Sequence, residues 1–371
     1  MFETINLKEK MKPSLFYYDE LLPDTPVQVV EETKDINDQH LVKRIIKAYK
    51  ISINDVNDLG GPIWSNIAKK SQNFHNLLLT GDVNKVTDVL RHPERSNLLY
   101  GFEMVFDEYA QSVRENPKIG ELQARWAHDN LVRTAEAIGA IRTYLPEVDF
   151  QELKWAPDSI LKEIERCIGF KLIFPNIIPE EFGVKSRGGV ISHRAVQAFY
   201  QAWKLNQLKS LASGGKILEI GAGLGRTAWF SSLFGISNYT IIDLPMANVA
   251  QAYFLGRTLG GEKILLHGEH GDGDTKIRVE NPSWFHTENN QYNVALNNDS
   301  MVEIGFKAVE EYWKQLANRA EIFLSINHEA QSFRVADLPA SMGQACKSLR
   351  TFHPTRKGYI EEIFFLGDRF K

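Results

Sequence analysis

Residues 217–227 read ILEIGAGLGRT, and this stretch decides the fold. An apolar run ends in three glycines, Gly221, Gly223 and Gly225, and a helical pattern begins near Arg226. Glycine permits a tight turn and leaves room for a ligand to approach the backbone closely. The stretch therefore predicts a β-strand, a ligand-binding turn and a helix in direct succession.

The chain after this turn alternates strand-like and helix-like segments. Such alternation predicts an α/β fold with a parallel sheet, because helices cross over between parallel strands. The last two strands are joined only by PTRKG (354–358), which is too short for a parallel crossover, so we expect that pair to be antiparallel. Helical patterns fall at 194–211, 226–234, 245–259, 303–319 and 337–346. Seven segments are predicted as strands: 216–221, 238–243, 263–268, 292–299, 321–327, 348–353 and 359–367.

The region before residue 190 shows mainly helical periodicity. Apolar residues recur at three- and four-residue intervals in 63–81, 121–145 and 157–170, and a short apolar run at 27–30 indicates a strand. The segment 173–194 is rich in proline and glycine, which is typical of turns between domains. We therefore predict a mainly helical N-terminal domain over 1–190, which caps the site and selects the substrate, and an α/β domain over 191–371.

The bulk composition is that of an ordinary globular protein. Its 371 residues are 43% hydrophobic and 24% charged, with a formal net charge of -4, a balance that argues against a nucleic-acid partner. Cys167 and Cys346 are too far apart to indicate a disulfide framework. No apolar run reaches the roughly 18 residues of a membrane span, and the first ten residues lack the apolar core of a signal peptide. We therefore expect a cytoplasmic protein with no membrane partner.

The glycine turn and Asp243 together predict a nucleoside site. Asp243 ends the next predicted strand, about 20 residues further on, where a carboxylate can accept hydrogen bonds from both ribose hydroxyls. A nicotinamide dinucleotide site favours G-x-G-x-x-G, whereas here the third glycine comes one residue early and Arg226 holds the last position. A nicotinamide-dependent oxidoreductase is therefore the less favoured alternative, and a turn with a purely structural role stays open.

LEIGAGLGRTA (218–228) followed by YTIIDLP (239–245) resembles the cofactor site of class I S-adenosylmethionine-dependent methyltransferases. That resemblance implies a Rossmann-like, seven-stranded methyltransferase sheet, here with an α-helical N-terminal domain. Further blocks resemble the sugar O-methyltransferases associated with polysaccharide and glycosylated natural-product biosynthesis. These blocks are RGGVISHRAVQAFYQAWKL (187–205), IIDLPMANVAQAYFLG (241–256), NNDSMVEI (297–304) and FLSINHEAQ (323–331).

The resemblance implies roles for individual residues at the cofactor, S-adenosyl-L-methionine. The glycines line its methionine and ribose end, and Glu219 orients the turn or approaches the methionine amino group. Asp243 binds the ribose hydroxyls, Leu244 flanks the adenine, and HGEHG (267–271) borders it, with any role of Glu269 there left open. The implied cofactor-binding set is Glu219, Gly221, Gly223, Gly225, Asp243, Leu244 and Asn298.

Polar residues collect where the fourth and fifth predicted strands end. Ligands of open α/β sheets bind beyond the carboxyl ends of the strands, so we expect these side chains near the transferred methyl group. The residues are Asn297, Asn298, Asp299, Asn327, His328 and Glu329.

A sugar hydroxyl is weakly acidic, so its methylation needs a general base or a metal ion near the attacking oxygen. His328 is the first candidate base, because imidazole titrates near neutral pH, and His193 is its rival. Asp299 is expected to orient the acceptor or the base, with Glu329 beside it. Capping of the 303–319 helix by Asp299 or Ser300 is the alternative explanation of this pattern.

The sequence therefore predicts an S-adenosylmethionine-dependent O-methyltransferase that acts on a sugar hydroxyl, in a nucleotide sugar or a glycoside, with a general base. A methyltransferase for a non-sugar hydroxyl or an amine of a small natural product is one alternative, and a non-catalytic cofactor-binding module is another. A divalent metal stays open, because Asp299, His328 and Glu329 offer suitable donors while no compact motif such as HExxH is present. A homodimer is also compatible with the sequence.

Overall fold

The computed structural model describes residues 27–31, 37–55, 62–116, 118–142, 156–271 and 276–370. Within these segments, helices surround one large mixed sheet and one small antiparallel sheet. None of the helices there is long and apolar enough to cross a lipid bilayer.

The N-terminal region combines helices with the small sheet. That sheet consists of β1 (Val27–Val29), β2 (Phe182–Ser186) and β3 (Gly189–Ile191), so the predicted strand at 27–30 is confirmed and the Gly- and Pro-rich segment contains a hairpin as well as turns. The single helix predicted over 63–81 is two helices that meet at Ser71. The helices are α1 (Gln39–Asp55), α2 (Pro62–Lys70), α3 (Gln72–Thr80), α4 (Val83–Arg91), α5 (Asp107–Glu115), α6 (Lys118–Ala137) and α7 (Pro157–Ile168).

The large sheet carries the glycine turn at its centre. Its strands are β4 (Ile217–Ile220), β5 (Tyr239–Ile242), β6 (Ile264–Leu266), β7 (Ile277–Glu280), β8 (Tyr292–Asn298), β9 (Ala320–His328), β10 (Lys347–Phe352) and β11 (Tyr359–Phe365). They lie in the order β10-β11-β9-β8-β4-β5-β7-β6. The six neighbouring strands β9, β8, β4, β5, β7 and β6 are parallel to one another. Strand β11 is antiparallel to both β9 and β10, which confirms the predicted antiparallel pair at the end of the chain.

The sheet has one strand more than the seven predicted from the sequence. The additional strand is β7, which lies between β5 and β6 and places the predicted third strand at the edge of the sheet. Two of the four residues of β7, Arg278 and Glu280, are charged and form an ion pair at 3.0 Å. These charges hide the pattern of a buried strand, although the Ile277 and Val279 side chains are buried.

The crossover helices lie close to their predicted positions. Three of them begin and end within one residue of the expected bounds, whereas the helix predicted over 303–319 begins at residue 306 and the one predicted over 337–346 is a single short turn. The helices are α8 (His193–Leu211), α9 (Arg226–Leu233), α10 (Pro245–Leu259), α11 (Pro282–Thr287), α12 (Phe306–Arg319) and α13 (Leu338–Ser341).

The start of α12 excludes helix capping as the explanation of Asp299. The residue before α12 is Gly305, with φ 89°, so neither Asp299 nor Ser300 caps this helix and that alternative is wrong. Asp299 lies instead in the turn directly after β8, with φ 69°, a left-handed conformation that is uncommon for a residue with a side chain.

The N-terminal helices and the large sheet share one apolar core. Helix α1 packs against α10 so closely that a Cβ at Gly256 would lie 2.6 Å from Cδ1 of Leu41. The cluster of buried apolar side chains that contains Leu41 also contains Ile217 of β4 and Ile363 of β11. The division of the chain at residue 190 stays a prediction, and the core is continuous across it.

Candidate functional site

The three glycines after β4 form a turn in a backbone conformation that residues with a side chain rarely adopt. Gly221, Gly223 and Gly225 have φ angles of 74°, 58° and 86°, all in the left-handed region. A Cβ at Gly221 would lie 2.5 Å from Cβ of Ser300, which belongs to the turn after β8. At Gly223 the nearest atom would be Cβ of Phe102 at 3.8 Å, so the space above this glycine is open. The turn therefore packs tightly on the β8 side and stays accessible at Gly223.

Arg226 ties this turn to the N-terminal region. It is the first residue of α9, and its side chain is buried between Glu103 and Glu181. Nε donates to Glu103 at 3.1 Å and Nη2 donates to Glu181 at 2.7 Å. A dinucleotide-binding turn has a small residue at this position. Here the position holds a buried arginine that is paired with two carboxylates, so the turn departs from G-x-G-x-x-G.

Asp243 lies where the sequence predicts a ribose-binding carboxylate, at the end of β5. One carboxylate oxygen accepts the backbone N–H of Leu244 at 2.8 Å, and the other accepts Nε2 of Gln251 at 2.7 Å. Burial raises the pKa of Asp243 to about 6, although these hydrogen bonds act in the opposite direction. The backbone N–H groups of Ala222 and Gly223 also interact with this carboxylate and lower its pKa, so Asp243 faces the glycine turn.

Glu219 is buried beneath the turn. Its Oε2 accepts the hydroxyl of Tyr239 at 2.8 Å, and burial raises its pKa to about 7. Glu219 is therefore poised between its neutral and charged forms at neutral pH and can respond to a positive charge that enters the cavity.

A cavity of about 780 Å³, including its open mouth, lies over the carboxyl ends of β4, β5 and β8. Its floor contains Glu219, the glycine turn and Asp243, and one wall contains Asn298 to Ser300. The cavity thus brings together six of the predicted site residues, whereas Gly225 and Leu244 do not line it: the six are Glu219, Gly221, Gly223, Asp243, Asn298 and Asp299. Helix α8 and the segment 101–103 contribute further lining residues that sequence reasoning did not assign, among them Gly101, Phe102, Glu103, Arg194, Gln197 and Gln201.

A cluster of titratable groups lies at the β8 end of the cavity. Oδ2 of Asp299 accepts Nη2 of Arg356 at 2.6 Å and the hydroxyl of Tyr359 at 3.1 Å. Oδ1 of Asp299 is buried without a hydrogen-bond partner among the described residues and lies 3.9 Å from Nε2 of His328. Glu303, which the sequence reasoning missed, lines the cavity beside them. Burial and the charge of Asp299 raise the pKa of Glu303 to about 7.

Asp299, Glu303 and His328 each offer one ligand atom within 4.8 Å of the others. The donor set nevertheless fits a divalent metal poorly. Arg356 already supplies a positive charge to Asp299, and Nδ1 of His328 accepts the backbone N–H of Ala330 at 3.2 Å. A neutral ring with that bond carries its proton on Nε2, which faces Asp299 and would have to bind the ion.

The remaining predicted residues lie around this cluster rather than within it. Glu329 forms an ion pair with Arg350 at 2.8 Å and does not line the cavity. His193 is half-buried at the start of α8 against Trp126, with ring centroids 5.9 Å apart. Burial and nearby arginine side chains hold the pKa of its imidazole well below the ordinary value.

The amides Asn297 and Asn327 are buried and serve the backbone near the turn. Nδ2 of Asn297 donates to the carbonyl of Ile220 at 2.8 Å, and Nδ2 of Asn327 donates to Oδ1 of Asn297 at 2.9 Å. Asn298, by contrast, lines the cavity, and its Oδ1 has no hydrogen-bond partner among the residues described. Of the three amides, Asn298 is the one available to a ligand.

The loop 267–271 does not border the cavity, contrary to the expectation from the sequence. Because β7 lies between β5 and β6, this loop is one strand further from Asp243 than expected. Glu269 forms an ion pair with Arg44 of α1 at 2.7 Å. The end of β7 takes the expected place, since the carbonyl of Glu280 accepts the backbone N–H of Asp243 at 3.1 Å.

No family model matches this chain, and no curated protein matches it significantly. The methyltransferase domain of a bacterial Hen1 protein is similar at 13% identity, over 46% of this chain and 99% of that one, with a TM-score of 0.32. The magnesium protoporphyrin IX methyltransferase of Synechocystis PCC 6803 is similar at 11% identity, over 46% of this chain and 81% of that one, with a TM-score of 0.31. A Pyrococcus horikoshii protein that has been proposed to be an RNA methyltransferase is similar at 14% identity, over 48% of this chain and 84% of that one, with a TM-score of 0.31. Each of these similarities covers less than half of the present chain.

Proposed function

We propose that this protein transfers a methyl group from S-adenosyl-L-methionine to a hydroxyl oxygen of a sugar, either in a nucleotide sugar or in a glycoside. The observation that carries the cofactor assignment is the pairing of the open glycine turn with Asp243 in one cavity. The turn offers backbone for close approach, and the Asp243 carboxylate in the same cavity offers acceptor oxygens for ribose hydroxyls. The sugar rests on the sequence blocks 187–205, 241–256, 297–304 and 323–331.

The transfer is an in-line displacement. The acceptor oxygen attacks the methyl carbon, the bond from that carbon to the sulfonium sulfur breaks, and S-adenosylhomocysteine and a methyl ether are formed. The hydroxyl proton must leave to a base, because a sugar hydroxyl is far less acidic than a phenol. The protein contributes by aligning the three atoms and by keeping water out of the cavity.

We consider two side chains at the β8 end as acceptors of this proton, and Glu303 is the stronger candidate. Glu303 lines the cavity, and its raised pKa of about 7 is suited to a base that works near neutral pH. His328, the base expected from the sequence, is the weaker candidate, because its Nδ1 already accepts the backbone N–H of Ala330 and the neutral ring then carries its proton on Nε2, which faces Asp299 at 3.9 Å. Asp299 is held by Arg356 and Tyr359, so it is suited to orient the acceptor rather than to take its proton.

Calorimetric titration with S-adenosylmethionine, S-adenosylhomocysteine and NAD tests the cofactor. We expect micromolar binding of the first two, no binding of NAD, and loss of binding in Asp243→Ala. Preference for NAD would refute the assignment and favour an oxidoreductase. Binding without methyl transfer to any acceptor would favour a non-catalytic module.

An acceptor panel of nucleotide sugars, glycosides, phenols and amines, followed by S-adenosylhomocysteine release and product mass, tests the substrate. Methylation of phenols or amines alone would refute the sugar assignment. On an active acceptor, Glu303→Gln should lower kcat by about 10²–10⁴-fold if Glu303 is the base, and His328→Gln by that amount if His328 is. Glu311→Gln, which changes an exposed carboxylate that is paired with Lys314, is the matched control.

A further inference from the structure

Arg194 lines the cavity and has no ion-pair partner among the residues that the structure describes. It is the second residue of α8, it is half-buried, and it lines the cavity. Its Nε is shielded from solvent and has no hydrogen-bond partner among the described residues, and no carboxylate of those residues lies within 4.0 Å to form an ion pair with it. A buried N–H group without a partner is costly, so such a group in a cavity indicates a ligand acceptor.

The guanidinium charge of Arg194 lies at an unfavourable position on the helix. The N-terminal end of a helix carries a partial positive charge, so acidic residues are favoured there and a cation is unfavourable. The first turn of α8 contains no acidic residue. The arrangement concentrates positive potential at this end of α8, and the depressed pKa of the neighbouring His193 imidazole has burial as its largest cause and the charge of Arg194 as the next.

The other arginines near this end already have carboxylate partners. Arg226 is bound by Glu103 and Glu181, and Arg356 is bound by Asp299. Arg194 acts electrostatically on Glu303 without a hydrogen bond to it. The partner that is missing for Arg194 is therefore an anion that enters with a ligand.

We propose that Arg194, at the N-terminal end of α8, binds a carboxylate group of the ligand that occupies this cavity. A guanidinium fork matches the two oxygens of a carboxylate. The inference rests on the proposed function, in which two molecules enter the cavity. The carboxylate belongs either to the amino-acid end of the cofactor or to an acidic sugar acceptor, and the two sources can be separated by experiment.

The first arm titrates S-adenosylhomocysteine and its decarboxylated analogue, which lacks only the carboxylate, into the wild type, Arg194→Met and Arg194→Lys. If the cofactor supplies the carboxylate, Arg194→Met weakens S-adenosylhomocysteine binding about 10- to 100-fold, as expected for a charge-assisted hydrogen bond. Binding of the analogue changes less than about threefold, and Arg194→Lys recovers part of the loss. Arg334→Met, which changes an exposed arginine paired with Asp337, is the control for folding.

The second arm titrates D-glucuronate and D-glucose into protein saturated with S-adenosylhomocysteine, with saturation-transfer NMR as the readout. If the acceptor supplies the carboxylate, Arg194→Met leaves S-adenosylhomocysteine binding unchanged but abolishes binding of glucuronate, and glucose does not bind in its place. The inference is overturned if two results occur together. Arg194→Met weakens binding of S-adenosylhomocysteine and of its decarboxylated analogue equally, or weakens binding of neither. In addition, glucuronate binding is the same in the wild type and in Arg194→Met. Failure of the wild type to bind S-adenosylhomocysteine at all would instead refute the proposed function.

Discussion

Substitution of alanine for each of three glycines measures three different effects: backbone strain, steric overlap with the protein, and steric overlap with the ligand. Gly221, Gly223 and Gly235 have similar φ angles of 74°, 58° and 73°, so alanine costs about 1–2 kcal/mol of left-handed strain at each. No atom lies within 4 Å of a Cβ at Gly235, so Gly235→Ala measures the strain alone. A Cβ at Gly223 meets only an ordinary contact at 3.8 Å, whereas one at Gly221 overlaps Ser300.

The overlap at Gly221 has a further cost. The Ser300 hydroxyl donates to the carbonyl of Ile220 at 3.3 Å and accepts Nδ2 of Asn297 at 2.5 Å. Displacement of Ser300 breaks both hydrogen bonds, each worth about 0.5–1.5 kcal/mol. We therefore expect Gly221→Ala to lower the free energy of unfolding by about 2–5 kcal/mol, against about 1–2 kcal/mol for Gly235→Ala and Gly223→Ala.

The affinities of the three variants for S-adenosylhomocysteine should follow a different order from their stabilities. A methyl group at Gly223 occupies space that the cofactor needs, and overpacking costs about 1–3 kcal/mol, so affinity for S-adenosylhomocysteine falls about tenfold or more. Gly235→Ala should bind as the wild type does. Urea unfolding and calorimetry provide both readouts. Equal stabilities of the Gly221 and Gly235 variants would refute the steric reasoning, and unchanged affinity in Gly223→Ala would show that no ligand packs on the turn.

Three further predictions follow from buried charges. Arg226→Met leaves two buried glutamates without their cation and should cost about 3–5 kcal/mol of unfolding free energy, whereas Arg334→Met, at an exposed ion pair, should stay within about 0.5 kcal/mol in the same urea titration. His267 is buried, which lowers its pKa, but hydrogen bonds to the carboxylates of Glu280 and Asp55 raise it overall. Its stabilisation is thus complete below the ordinary pKa near 6.5 and is lost as pH rises through the raised value, by at most about 1.4 kcal/mol per pH unit. Binding of S-adenosylhomocysteine should weaken as pH falls below about 6, because Asp243, whose pKa burial raises to about 6, then loses its charge.

Each of these predictions has an outcome that contradicts it. An Arg226→Met protein as stable as the wild type would mean that the carboxylates take up protons at no cost. His267→Gln should flatten the dependence of unfolding free energy on pH above 6.5, and an unchanged slope would assign that dependence to other groups. Asp243→Asn should bind weakly at every pH, and a variant that keeps the wild-type pH profile would exclude Asp243 as the titrating group.

The central part of the fold could be predicted because its signals are local. A strand, a glycine turn and a helix follow one another in 217–227, and the carboxylate of Asp243 ends the next strand. The polar residues Asn298 and Asp299 could be assigned to the same cavity because parallel strands end at one edge of a sheet.

The missing parts depend on contacts that are distant in sequence. Strand β7 is four residues long with two charges, and only its neighbours on both sides make it a strand. Glu303 belongs to a segment predicted as helix and lies instead in a turn beside the cavity. Arg226 marks the turn as unusual, but its partners Glu103 and Glu181 are 123 and 45 residues away, so their pairing cannot be derived from spacing.

The buried pairing of Arg226 has a consequence for protein engineering. Under the proposed function, exchange of N-terminal regions between related proteins would be a way to alter the acceptor, and the predicted junction near residue 190 is the obvious place to cut. Such a chimaera would separate a buried guanidinium on one parent from two carboxylates on the other, unless both parents carry the same three residues. Donor segments should therefore be chosen for a glutamate at the positions of Glu103 and Glu181, before any residue that faces the acceptor is considered.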